Sequence, residues 1–377
     1  GNAVLYILDI SSGEVLKAID TGIGAEDDPA GTDRPNGLAT PAPIDLDRDG
    51  IVDYVYAGDL FGNMWKFDLT AKSADDWAIA KYPAVDGSAQ PLFKAVQGAE
   101  HQAITTRPEV GVAPFGQAGV MVYFGTGQYL EVGDNTPLDQ VTQSFYGVWD
   151  TGIVVTRDEL QEQQILQETE QDFYDVDGNK VDDFELRVTS DTPVSWRSEL
   201  NPAGDLGWYM DLVNQEHPAN NKGERQVSNS VLRNDRIIFT TLLPSEDPCE
   251  FGGTSWLMEL DAFSGARLPY SPFDLNLDGA FGEEDYVCTE NCNDDDTKVS
   301  VAASGKKSKV GIIPTPGILS GGVGGQGGSG GDGDKKKVNP CEEGAECKLA
   351  SGSTGAQEQT RENPGRGDYG RQSWHEL

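Results

Sequence analysis

The chain has 377 residues, with 28 Lys and Arg against 63 Asp and Glu and a formal net charge of -35. Such an excess of negative charge repels phosphate backbones and anionic headgroups at long range, which sets nucleic acid aside as a partner and favours a protein that holds divalent cations. The length suffices for one large repeat-built domain, and no apolar run approaches the ~18 residues of a membrane helix, so a soluble fragment without a transmembrane segment is expected.

The first residue is Gly1, and "GNAVLYILDISSGEV" reads at once as strand, turn and strand, which suggests a piece of a longer precursor, upstream of which any signal peptide would lie. "LYILDISSGEVL" at residues 5–16 returns in altered form as "LMELDAFSGARL" at 257–268, with alternating apolar positions, an Asp, a Ser-Gly turn and a return strand. Partial copies end at Asp68 in "MWKFDLTAKSADDW" and at Asp150 in "FYGVWDTGIVV". Each is a short antiparallel unit with period-two alternation. A lone hairpin cannot bury its apolar face, so several must stack around a shared core, as propeller blades do at roughly 40 to 50 residues each.

Next comes "PIDLDRDGIVDYVYAGD" at 43–59. If the backbone curls around one point, the carboxylates of Asp45, Asp47, Asp49 and Asp53 converge, Ile51 offers its carbonyl oxygen and Gly50 makes the sharp turn. Alternate residues face inward while Leu46 and Arg48 face out, which is loop chemistry for calcium, a cation that takes about six to eight oxygens. Magnesium keeps more of its water than such a loop allows, and zinc lacks His or Cys nearby.

Further on, "VTRDELQEQQILQETEQ" breaks the β pattern. Thr156 and Glu159 have capping-box spacing and Val155 with Leu160 could staple the entry, so a helix inserted between blades is expected from about residue 157 to 170. In "YDVDGNKVDD", the acids Asp175, Asp177, Asp182 and Asp183 surround Asp177-Gly178, a strong hairpin signal, so a turn is preferred to a metal loop. In "DLNLDGAFGEED", by contrast, Asp274, Asn276, Asp278, the carbonyl of Ala280 and Asp285 follow the twelve-residue calcium loop, with Gly279 at the turn and Asp in place of the longer Glu at the end. This is a second calcium candidate, although Glu283, Glu284 and Asp294 to Asp296 beside it also read as a charged surface loop.

Of the five cysteines, Cys288 with Cys292 and Cys341 with Cys347 are the local disulfide candidates, and Cys249 stands apart. From Gly305 the composition shifts, and "SGGVGGQGGSGGDGDKKK" at 320–337 marks a linker, with disorder expected over 321–363. "GRQSWHEL" regains alternation, so the tail is expected to return as a strand against "VGIIPTPGIL", closing an overgrown hairpin loop. The implied division is a domain over 1–319, an insertion over 320–363 and a terminal strand over 364–377. His101, His217 and His375 are isolated, and no GxSxG, HExxH or P-loop is present, so nucleophilic, zinc and phosphate chemistry have no anchor.

Taken together, "PIDLDRDGIVDYVYAGDLFGNMWKFDL", "RPEVGV", "VYFGTGQYL", "VLRNDRIIFTTLLPSEDPCEFGGTSWLMELDAFSGARL" and "GRQSWHEL" resemble the C-terminal β-propeller of the PilY family of type IV pilus biogenesis factors and tip-associated adhesins. The resemblance spans residues 1 to about 319 and the last eight. It implies an all-β, modified seven-bladed propeller with quinoprotein-like blades, no enzymatic activity, and export from a Gram-negative cell to the periplasm, outer membrane and pilus tip. Implied partners are minor pilins and a host or abiotic surface receptor. The family's calcium loop carries over onto Asp45, Asp47, Asp49, Ile51 and Asp53, with calcium occupancy implied to influence pilus extension, retraction and attachment. Two other readings compete: a quinone-dependent dehydrogenase propeller, and a calcium-dependent glycan-binding or integrin-like propeller. Arg366-Gly367-Asp368 offers a possible integrin tripeptide.

Overall fold

The computed structural model describes residues 1–82, 90–136, 141–218, 223–294, 296–320 and 346–364. Among these the chain is built of strands joined by short 3-10 turns, with no α-helix. The Val4–Leu8 and Val15–Asp20 strands pair antiparallel, and Ala42–Ile44, Tyr54–Gly58 and Asn63–Asp68 form a meander extended by Ala78–Ile79 and Phe93–Lys94.

The largest sheet begins as another antiparallel meander, Glu109–Val112, Val120–Gly125, Ser144–Asp150 and Gly207–Asn214. It continues through Gln161–Tyr174, Lys180–Thr189, Gly305–Lys307, Trp256–Asp261, Arg236–Thr240 and Val231–Arg233. Its first and last strands approach each other, so this sheet is nearly closed. Stacking antiparallel units therefore bury one another's apolar faces, as the repeats require.

The Asp-Ser-Gly turns repeat in atomic detail. Asp9 Oδ1 accepts the N–H of Ser12 at 2.8 Å, and Asp261 Oδ1 accepts that of Ser264 at 2.8 Å. The Gly13 N–H reaches the Asp9 carbonyl at 2.7 Å, and the Gly265 N–H reaches that of Asp261 at 2.8 Å. Asp68 holds Thr70 and Asp150 holds Gly152 in shorter versions. The second copy departs from expectation after its turn: residues 266–268 form no return strand, because the Arg267 N–H donates to the Ser190 carbonyl at 3.0 Å and its guanidinium reaches Asp191.

The expected helix over 157–170 is not there. Thr156 and Glu159 do close a capping box, with the Thr156 N–H 2.9 Å from Glu159 Oε2, but the helical turn ends at Glu159 and Gln161–Tyr174 is a strand. Its alternation was hidden because an inward position is polar. Buried Gln163 donates Nε2 to the carbonyls of Thr192 and Ser264, while Ile165 fills the next inward place. Pairing along both edges outweighs the helix preference of Gln and Glu.

Disorder expected over 321–363 gives way, at 346–362, to the strands Glu346–Ser351 and Gln357–Glu362. Of "VGIIPTPGIL" only the end is a strand, and this strand, Gly317–Ser320, pairs with Glu346–Ser351. The expected terminal strand, Arg366-Gly367-Asp368, His375 and Cys341 lie outside the described residues. Cys288 and Cys292 are joined, Cys347 is disulfide-bonded, and Cys249 is a free, exposed thiol.

Three apolar clusters fill the interior. The main one stacks Phe145 on Phe239, 4.0 Å between ring centres, beside Trp208 and Trp256. A second gathers Phe173, Leu186, Phe273 and Leu275, and a third packs Leu5 and Ile19 with Val55, Trp65 and Phe67. Each fully buried large side chain contributes about 1.5 to 3 kcal/mol.

Candidate metal centre

The Asp45 loop joins the Ala42–Ile44 and Tyr54–Gly58 strands, which are in register up to the Ile44 and Tyr54 pair. Ile44 lies in the main core and Val52 packs against the third cluster, so both ends are fixed by burial while the loop between faces solvent. Asp45 Oδ1 accepts the N–H of Arg48 at 2.7 Å and of Asp49 at 3.1 Å, and its Oδ2 accepts that of Gly50 at 2.9 Å. From the far end, Asp53 Oδ2 accepts the Leu46 N–H at 2.7 Å and the Asp47 N–H at 3.4 Å. Asp49 Oδ1 accepts from Ile51 at 2.8 Å. The curl needs left-handed backbone at Gly50, φ 89°, where an L side chain is strained, and at Arg48, φ 66°.

Oxygens of Asp45, Asp47 and Asp49 lie within 4.8 Å of one another. Unit charges about 4 Å apart repel by roughly 1 kcal/mol in water and about 4 kcal/mol at an effective dielectric near 20, so this convergence favours a bound cation. The donors are hard oxygens with no ring nitrogen or thiolate among them, a set suited to calcium and unsuited to zinc. Asp53 is tied to the loop through two amides, and Leu46 and Arg48 are exposed, as the alternation predicts.

The Asp274 loop repeats this construction. Gly279 donates to Asp274 Oδ2 at 3.0 Å as Gly50 does to Asp45, and Ala280 donates to Asp278 Oδ1 at 2.7 Å as Ile51 does to Asp49. Leu275 and Asn276 donate to Asp285 Oδ1 at 2.6 and 3.2 Å, as Leu46 and Asp47 do to Asp53. Leu277 and Gly279, with φ of 59° and 88°, repeat the left-handed positions. Burial differs: Asp274 is 4% exposed and Asp285 1%, because Phe273 and Leu275 sink this loop into the second cluster. Burial pushes the Asp285 carboxyl up to about 7, with Asp274 and Asp278 adding to the rise and the two amides opposing it. The Arg361 Nε lies 3.4 Å from Asp274 Oδ2.

The third acidic cluster is a turn. Asp175 caps it by accepting the N–H groups of Asp177 and Asn179 at 3.0 and 2.8 Å, while Asp182 and Asp183 pair with Lys309 and Lys180. Glu283 and Glu284 open a 3-10 turn beside the second loop, and Asp294 caps the bend after Cys292. His101 Nδ1 meets the Phe61 carbonyl at 2.9 Å, and His217 is exposed in a loop.

Two buried ionic assemblies escaped the sequence reading. Arg187 binds Glu224 through two bonds of 2.8 and 2.9 Å, reaches Glu168, and lies over the Trp256 ring at 4.2 Å. Arg236, Glu259, Lys348 and Glu362 form a second, with Arg236 3.0 Å from Glu362 and Lys348 against Glu259. The Arg236 and Glu362 partners are 126 residues apart, so no local spacing reveals them.

A family model described as the PilY1 beta-propeller domain matches residues 1–177. A type IV pilus biogenesis factor PilY1 homolog of Xylella fastidiosa is 37% identical over 274 residues, which cover 70% of this chain and 17% of the relative. Type IV pilus biogenesis factor PilY1 of Pseudomonas aeruginosa strain PAO1 is 31% identical over 333 residues, 81% of this chain and 26% of the relative. The chain thus spans about a quarter or less of these relatives. The crystal structure of the Pseudomonas aeruginosa PilY1 C-terminal domain is similar with a TM-score of 0.72 and 25% identity, over 97% of this chain and 67% of that one.

Proposed function

Because this chain belongs to the PilY1 β-propeller family, we propose that it acts in type IV pilus biogenesis as a non-enzymatic module that binds calcium at the Asp45 loop. The observation that carries this reading is the convergence of Asp45, Asp47 and Asp49 on one point in a loop whose ends are buried strands. Asp45, Asp47, Asp49, Asp53 and the carbonyl of Ile51 would hold the ion, which supplies positive charge and fixes the curl. The chain's own part is to keep the loop half-assembled through amides bonded to Asp45 and Asp53, so that little ordering is left to binding.

The functional proposal is that calcium occupancy biases the pilus between extension and retraction and supports attachment, with the domain exported to the envelope and pilus tip among minor pilins. Names of the relatives as biogenesis factors support that setting. Among the described residues no helix is long and apolar enough to cross a membrane. A quinone-dependent enzyme is less well supported, since such a site draws ligands from several blades and this one uses nine consecutive residues.

Isothermal titration of the purified chain with calcium should show binding that falls by one ion per chain on combining Asp45→Ala with Asp53→Ala. In cells, the full-length protein carrying both replacements should change the number of surface pili and the rate of twitching. Unchanged piliation and motility with calcium binding lost would reduce the ion to a structural role.

A further inference from the structure

We propose that the Asp274–Asp285 loop is a second divalent-cation site, preformed on the same backbone as the Asp45 loop and seated inside the domain. Its choice of calcium rests on the reading given above for the first loop; its existence rests on its own atoms. Two carboxylates are buried here, and each has an oxygen without any hydrogen-bond partner, Asp274 Oδ1 and Asp285 Oδ2. Their other oxygens are occupied: Asp274 Oδ2 by the Gly279 amide and Arg361, and Asp285 Oδ1 by the amides of Leu275 and Asn276. Buried carboxylate oxygens are costly to leave bare, and native folds meet that cost with donors, counter-charges or ions.

The counter-charge that Arg361 supplies is incomplete. Arg361 reaches Asp274 from the side at 3.4 Å, at the oxygen that the Gly279 amide already holds. Asp278 adds a third carboxylate, Asn276 an amide oxygen and Ala280 a carbonyl, all hard donors suited to calcium, and no His or Cys belongs to the loop. The duplicated amide pattern carries the rest: four of the amide bonds that shape the Asp45 loop recur here, to Asp274, Asp278 and Asp285, with the closing acid three places later in the chain.

Arg361 adds a consequence. It lies on the Gln357–Glu362 strand next to Glu362, itself held by Arg236 and Lys348, so the cation site and the docked C-terminal hairpin share a side chain. A cation in the loop and the guanidinium compete for Asp274, and Arg361→Gln should tighten binding at this site about fivefold or more.

Equilibrium dialysis of calcium against the full chain tests the proposal. Two ions per chain are expected, one after Asp285→Asn, one after Asp45→Asn with Asp53→Asn, and none in the combined variant. Should Asp285→Asn lose its far-ultraviolet circular dichroism, Asp278→Asn, at an exposed position, replaces it and should weaken one of the two sites at least tenfold. A single ion kept by Asp285→Asn and lost with Asp45→Asn and Asp53→Asn overturns this second site and leaves the first. A single ion with the opposite pattern sinks the calcium reading of the first loop instead, and no binding at all overturns both.

Discussion

Arg187 is a charge held wholly inside the protein, tolerated because its guanidinium makes four bonds to two carboxylates and one to the Met258 sulfur and lies over a tryptophan face. Replacing it by Leu takes from Glu224, which is fully buried and also accepts the Thr241 hydroxyl, its guanidinium counter-charge. The expected loss is about 3 to 5 kcal/mol, read as a lower urea midpoint at unchanged slope. The acids of the two loops were legible as a candidate site because a cation loop is written in consecutive residues. The partners of Arg187 were not, since Glu168 and Glu224 lie 19 and 37 residues away and each looks like an ordinary surface acid in its own neighbourhood.

Among elements, the Asp-Ser-Gly turn is the unit that the sequence displays most openly, because its hydrogen bonds join neighbours along the chain. At Asp9 the hydroxyl of Ser11, followed by the amide and hydroxyl of Ser12 and the amide of Ser11, lowers the carboxyl from 3.8 to about 2. A carboxyl lowered on folding stabilises the turn fully above the unfolded value of 3.8 and loses that contribution as pH falls through about 2. A carbon-detected NMR titration should therefore place Asp9 near pH 2 in the intact chain and near an ordinary Asp value after Ser11→Ala with Ser12→Ala. The Gln161–Tyr174 strand marks the limit of such reading. Its composition favours helix and its capping box is real, yet both edges are claimed by partners far away in sequence, and a buried Gln disguises the alternation. The strands at 346–362 were missed for a related reason: alternation there is carried by Lys348, Thr360 and Glu362, polar groups made internal by ion pairs and hydrogen bonds.

For the molecule as a whole, a formal charge of -35 means that much of the exposed surface repels itself, while the ionic clusters sit where salt cannot reach. Raising sodium chloride from about 10 to about 200 mM shortens the screening length to roughly 7 Å and should raise the melting temperature by a few degrees. Calcium chloride at matched ionic strength should raise it further, by up to about 2.7 kcal/mol of stability at one hundred times the dissociation constant. Scanning calorimetry should find that added increment reduced by Asp45→Asn with Asp53→Asn and the sodium effect unchanged; equal responses to the two salts would deny specific occupancy.

The pairing of Ser320 with Glu346 brings the two ends of the 321–345 stretch side by side on neighbouring strands. Adjacent strands are about 5 Å apart, so any peptide able to bridge that gap meets the geometric demand of the sheet. For an unstructured connection, doubling the length adds only about 0.6 kcal/mol of closure cost. The domain thus has a docking port for foreign sequence, where an epitope tag or a reporter could be spliced in while both acidic loops and the ionic clasp around Glu362 stay untouched.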